Sequence, residues 1–88
     1  MYCLFVGMIY TAGGTDTEND VVRSTADSFN PITKEWTILP DMNIERSDLA
    51  LVALDGFVYA VGGYNETNKE LNSVERFSPQ EVQLFPIW

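Results

Sequence analysis

Two segments of this chain are copies of one another: Gly7-Met8-Ile9-Tyr10-Thr11-Ala12-Gly13-Gly14 and Gly56-Phe57-Val58-Tyr59-Ala60-Val61-Gly62-Gly63, 49 residues apart. Each reads as a tight turn, a short run of β-prone residues with a central tyrosine, and a glycine pair that closes the strand. A second landmark follows each pair, Phe29-Asn30-Pro31 and Phe77-Ser78-Pro79, now 48 residues apart. Register is kept while one intervening loop shortens by a residue, as happens when a supersecondary unit is repeated. A period near 50 residues points to the blades of a β-propeller rather than to the shorter helical repeats.

Between these landmarks the chain predicts strands at 1–5, 8–12, 22–29, 35–39, 48–54, 57–62 and 73–77, with turn residues between them, the spacing of an all-β meander. Asp55-Gly56 between apolar runs predicts a hairpin turn, and Asn30-Pro31 and Pro40-Asp41 predict further turns. Met1–Phe5 aligns with Ala50–Leu54, so the chain is expected to open inside a strand. Leu49-Ala50-Leu51-Val52-Ala53-Leu54 is nearly continuous in apolar residues, which predicts a strand covered on both faces. Gly13, Gly14, Gly62 and Gly63 are expected to be architectural, giving positive φ and close approach of neighbouring backbone. Trp36 and Tyr59 are large enough to fill the wedge between two radially arranged sheets, and core packing is expected of both.

Composition removes several functions. The chain has 5 basic and 13 acidic residues, a net charge of −8, and the acids are scattered rather than blocked, so nucleic acid is not an expected partner. Such a surface is either a plain solvated face or one biased towards basic partners. Cys3 is the only cysteine, which forbids an internal disulfide and any multi-cysteine metal cluster; packing in the first strand is its expected role, in a reducing, cytoplasmic setting. There is no histidine, so the commonest general base and transition-metal ligand are both missing and catalysis is not expected. No run approaches the ~18 apolar residues of a membrane-spanning helix, and no membrane partner is expected.

Two small motifs carry less than they suggest. Asp16-Thr17-Glu18-Asn19-Asp20 with Asp27 imitates a calcium loop, but Val21 stands where the sharp turn needs glycine. Asn65-Glu66-Thr67 fits a glycosylation acceptor, yet no secretory leader is expected from the first residues, which repeat internally. No metal and no cofactor are expected.

The run from Phe29-Asn30-Pro31 through Trp36, Leu39-Pro40-Asp41-Met42, Arg46, Leu54-Asp55-Gly56, Tyr59 and Gly62-Gly63-Tyr64 resembles the kelch repeat. The resemblance covers roughly residues 3–79 and implies a partial β-propeller of about two four-stranded antiparallel blades, the first and last strands incomplete. On it, 1–40 is a first repeat truncated at its start, 41–79 a second repeat, and 80–88 a divergent tail in which Trp88 falls four residues late for the family pattern. A truncated start and divergent end imply a fragment or splice product of a longer kelch protein.

The family resemblance also implies a function. Kelch domains resembling this one act as substrate receptors of cullin-based ubiquitin ligases, the cullin being reached through an upstream BTB domain that these residues do not include; the alternative is an actin-binding or cytoskeletal scaffold. The implied binding loops are Thr15–Asp20, Asn43–Asp48 and Tyr64–Lys69. Within them Ser47, Asp48, Tyr64, Asn65, Thr15 and Asp16 are the candidate partner-facing residues, while Arg46 is expected to be structural, its fork bonding loop carbonyls or a carboxylate. Copper-oxidase propellers, which need histidine ligands, are not matched.

Overall fold

The computed structural model describes residues 1–79 and Trp88. Its strands are β1 (Tyr2–Phe5), β2 (Met8–Ala12), β3 (Thr15–Asp16), β4 (Val21–Val22), β5 (Ala26–Asn30), β6 (Glu35–Leu39), β7 (Ala50–Leu54), β8 (Phe57–Val61), β9 (Tyr64–Asn65), β10 (Lys69–Glu70) and β11 (Val74–Phe77). They form an antiparallel four-stranded sheet in the order β1-β2-β5-β6, a three-stranded sheet β7-β8-β11, and two-stranded ribbons β3-β4 and β9-β10. The first sheet is a complete blade. The second has three strands among the described residues, and the divergent tail expected at 80–88 lies outside them except for Trp88.

The turns follow from local chemistry. Val6-Gly7 and Asp55-Gly56 are two-residue hairpin loops with φ of 51°, 73°, 50° and 84°, the both-positive pattern whose twist matches that of the flanking strands. Asn30 Oδ1 accepts the Ile32 and Thr33 amides and so caps the turn into β6.

Where the chain was expected to run as one strand over 22–29, it breaks into β4 and β5. The cause is competition for backbone groups at 23–25. Arg23 N–H donates to Gly14 O, Thr25 O accepts from Gly13 N–H, and Ser24 O and Arg23 O accept from Met42 and Arg46 in the connection between the sheets. Residues serving that connection cannot also serve a ladder.

The core lies between the two sheets. Tyr10, Ala12 and Ala26 of the first blade face Leu51, Val58 and Ala60 of the second, with Met42 and Leu49 closing the gap. Cys3 packs at its margin, and partial burial pushes its thiol pKa up, which disfavours the reactive thiolate. Alanines at the crossing let the sheets approach closely while the larger side chains fill the sides.

Two packing expectations need correction. The run Leu49–Leu54 is not covered on both faces: Leu49 and Leu51 are buried, but Val52 and Leu54 are 46% and 56% exposed. Trp36 does not fill a wedge between sheets either; it is 62% exposed and rests on Phe29, with ring centroids 4.8 Å apart. Tyr59 is only partly covered. All four side chains point from faces that no other sheet covers among the described residues, so their apolar character does not translate into burial.

Val6 is a β-branched residue in the left-handed region, at the position where the second repeat uses Asp55. That conformation costs L-residues about 1–2 kcal/mol, and Asp or Asn tolerates it better. Val6 is 66% exposed, so little burial is at stake in replacing it. Val6→Asp is therefore expected to stabilise the chain by about 1 kcal/mol, read as a higher urea midpoint; an unchanged or lower midpoint would count against strain at this turn.

Candidate interaction site

Three segments converge at one end of the paired blades: the β3-β4 ribbon, the β9-β10 ribbon and the connection Met42–Asp48. The connection is threaded between two glycine pairs. Gly14 N–H donates to Arg46 O at 2.8 Å on one side, and Ser47 and Tyr64 exchange both backbone hydrogen bonds at 2.9 Å on the other. A Cβ on Gly13 would run into the Arg46 carbonyl, and one on Gly63 would lie 2.6 Å from Ser47 O. These glycines sit at φ of 66° and 103°, so both space and backbone geometry require them.

Arg46 pins the connection to the second blade. Its side chain is 0% exposed, and all five guanidinium donors are used. Nη1 donates to Gly62 O and Ser73 O at 2.9 Å; Nη2 donates to Ser73 Oγ at 2.9 Å and Glu75 Oε2 at 3.2 Å; Nε donates to Glu75 Oε2 at 3.2 Å. Glu75 in turn accepts the amides of Asn43 at 2.7 Å and Ile44 at 3.1 Å. Among the described residues no buried side-chain nitrogen or oxygen is left without a partner. Glu75 was not singled out from the sequence. Its signal was parity: it alternates with Phe77 on β11, so an acid had to point into the core and find a cation there.

The candidate partner-facing residues separate into two groups. Asn65 is 1% exposed, its Nδ2 donating to Glu45 O at 2.9 Å and its Oδ1 accepting the Asn68 amide at 2.7 Å. Ser47 is also buried, its Oγ donating to Tyr64 O at 3.2 Å. Both hold the connection in place, and neither presents a side chain to a partner; this corrects the expectation for these two. Asp48 and Thr15 are exposed, and Asp16 and Tyr64 are half-exposed. The four lie around the same end.

Asp16 occupies the position that Asn65 holds in the second repeat, and the difference shows what each repeat needs. Asp16 Oδ1 accepts the amides of Glu18 and Asn19, while Oδ2 accepts from Asn19 Nδ2 at 2.9 Å and from Arg23 Nη2 at 2.6 Å. Asn19 first and Arg23 second hold its carboxyl pKa below the ordinary aspartate value. Around these residues Glu18, Asp20, Asp41, Asp48, Glu66 and Glu70 are exposed. The ribbons' cations are already opposed: Arg23 pairs with Asp16, and Lys69 lies 3.7 Å from Glu66. The surface at this end is therefore net acidic.

With this geometry in view, sequence comparison places the chain. The Kelch motif matches residues 7–43 and 45–81. Kelch-like ECH-associated protein 1A of Danio rerio is 35% identical over 63 residues, 69% of this chain and 10% of that protein. Kelch-like protein 36 of Bos taurus is 36% identical over 84 residues, 90% of this chain and 14% of that protein. An F-box/kelch-repeat protein of Arabidopsis thaliana is 38% identical over 60 residues, 68% of this chain and 13% of that protein. The chain belongs to the kelch-repeat family, and its all-β fold is part of a kelch propeller. It spans between a tenth and a seventh of the length of these relatives.

Two predictions follow from the site. Arg46→Ala leaves Glu75 buried without its cation and should cost about 3–5 kcal/mol, seen as loss of cooperative urea unfolding; Arg46→Lys should recover only part of this, since an ammonium cannot reproduce the fork. For Asp16, a folded pKa below the unfolded one means that its contribution is present above the unfolded pKa and lost as pH falls through the folded pKa. Acid titration below the ordinary aspartate range should loosen the β3-β4 ribbon, with faster exchange of the Asn19 amide; Asp16→Asn should remove that pH dependence.

Proposed function

We propose that this kelch chain is a protein-interaction module whose binding surface is the end carrying Thr15–Asp20, Asn43–Asp48 and Tyr64–Lys69, and that it recognises a basic or polar segment of its partner. The observation that carries this is the convergence of three loops on a rigidly held connection, with exposed acids left unopposed once Arg46 is buried and Arg23 and Lys69 are paired. Rigid backbone beneath exposed loop residues is the usual arrangement of a recognition surface. Asp48 is the central candidate, exposed at the end of the connection, with Tyr64 beside it as the aromatic contact and Thr15 and Asp16 on the neighbouring ribbon. The role is that of a substrate receptor for a cullin-based ubiquitin ligase in the cytoplasm. It is supported by resemblance to kelch-like and F-box/kelch-repeat relatives; the cullin contact would come from a BTB domain, which these 88 residues do not contain.

Charge at such a rim acts mainly on association rate and salt dependence. Phage-displayed peptides selected on the chain should therefore enrich Lys and Arg, and their capture should weaken as salt rises. Asp48→Lys should reduce capture about tenfold, equivalent to about 1.4 kcal/mol; because Asp48 sits at φ 54°, where Asp and Asn are tolerated best, Asp48→Asn is the matched variant that should weaken capture while leaving urea unfolding unchanged. Enrichment of acidic peptides, or capture indifferent to Asp48→Lys, would defeat the assignment. Co-sedimentation with filamentous actin, weakened by the same substitution, would replace the ligase role with a cytoskeletal one.

A further inference from the structure

The chain holds six asparagines, and their surroundings differ in the respect that governs their chemistry. An asparagine side chain is attacked by the backbone nitrogen of the next residue when that amide is free of an acceptor, the following side chain is small, and the backbone can bring the two together. Five of the six fail this test. Asn30 precedes Pro31, which has no N–H. Asn19 is held by its Nδ2 on Asp16 Oδ2 at 2.9 Å, and Asn65 is buried with both ends of its side-chain amide bonded. After Asn43 the attacking amide is that of Ile44, which already donates to Glu75 Oε2. Asn68 is followed by Lys69, a long side chain set in the β9-β10 pair.

Asn72 differs from all of these. It is exposed, it lies between β10 and β11 in a segment that belongs to no strand, and serine follows it. Among the described residues the Ser73 amide donates to no backbone carbonyl. Its natural acceptor, Gly62 O, is taken by Arg46 Nη1 at 2.9 Å, although Gly62 N–H donates to Ser73 O at 3.0 Å. This openness belongs to the repeat. The bonds Leu71 N–H to Gly63 O and Gly62 N–H to Ser73 O match Arg23 N–H to Gly14 O and Gly13 N–H to Thr25 O, which puts Ser24 in the place of Asn72. There the connection runs past, Ser24 O accepting the Met42 amide, yet Ser24 stays half-exposed and the Thr25 amide likewise donates to no backbone carbonyl among the described residues.

We propose that Asn72 is a site of spontaneous deamidation, a covalent modification that acts on the Arg46 anchor. The Ser73 nitrogen loses its proton and attacks the Asn72 side-chain carbonyl carbon; ammonia leaves and a cyclic succinimide forms. Water then adds to one of its two carbonyls and opens the ring to aspartate or to isoaspartate, in which the main chain runs through the side-chain carbonyl and is longer by one methylene. Water is the only co-reactant. The consequence lies in the next residue. Ser73 O and Oγ each accept from Arg46 at 2.9 Å, and Glu75 Oε2 accepts from the same guanidinium at 3.2 Å. Aspartate at 72 keeps the spacing of these acceptors; isoaspartate shifts it, and the fixed fork of donors cannot follow.

The test is timed incubation of the full 88-residue chain at physiological temperature, from mildly acidic to mildly alkaline pH, read by peptide mass mapping, isoaspartate-specific methylation and urea unfolding of the same samples. Conversion should begin at Asn72 ahead of the other asparagines and quicken as pH rises, because the attacking nitrogen must lose its proton. The urea midpoint should fall in step with isoaspartate content. Asn72→Gln, whose longer side chain disfavours ring closure, should hold its midpoint through the whole incubation. Freshly prepared Asn72→Asp supplies the charge without lengthening the backbone and should unfold at the midpoint of the fresh wild-type chain. Conversion led by another asparagine, or an Asn72→Gln chain that ages like the wild type, would overturn the site. Isoaspartate at 72 with an unmoved midpoint, or fresh Asn72→Asp as weak as the aged chain, would overturn its action on Arg46.

Discussion

The structure depends on one buried guanidinium. Arg46 lies in the connection between the blades, yet its hydrogen bonds end on Gly62, Ser73 and Glu75 of the second blade, and Glu75 returns two to the amides of Asn43 and Ile44. The Asn43 and Ile44 amides of the connection find their acceptor in Glu75, and the Gly62 and Ser73 carbonyls of the second blade find their donor in Arg46; a polar group buried without a partner costs about 1–3 kcal/mol. The planar fork converts that liability into a fixed geometry. Lysine could supply the charge but not the five aligned donors.

The glycine pairs complete the arrangement from outside. Gly13 and Gly63 come from different repeats and press on consecutive carbonyls, those of Arg46 and Ser47. Each repeat thus lends one glycine to the same segment, so the two blades are joined not only through their apolar faces but through a backbone held between them. This is why the end of the molecule bearing Asp48 and Tyr64 is rigid beneath its exposed side chains, and why its acidity can be presented in a defined pattern rather than on mobile loops.

The blade faces tell a different story from the connection. Between the sheets, apolar residues meet and are buried; on the two open faces, residues of the same repeat positions stand exposed among the described residues, Tyr2 at 69% where its counterpart Leu51 is buried. The fold therefore has two kinds of surface, an acidic end formed by loops and two apolar flanks formed by strands, and they follow from different parts of the repeat.

The repeat, the strand order within each blade, the hairpin at Asp55-Gly56 and the need for glycine at 13 and 63 were legible in the sequence, because each rests on local backbone geometry that the residue type dictates. The exposure of Trp36, Val52 and Leu54 was not, since a side chain's covering depends on which neighbouring sheets are present and not on its own strand. The break between β4 and β5, the burial of Ser47 and Asn65 and the pairing of Arg46 with Glu75 were decided only by the tertiary structure. In each, a polar group at one place in the chain is satisfied by a partner well removed in sequence, 29 residues away for Glu75, and local propensity carries no record of such a partner.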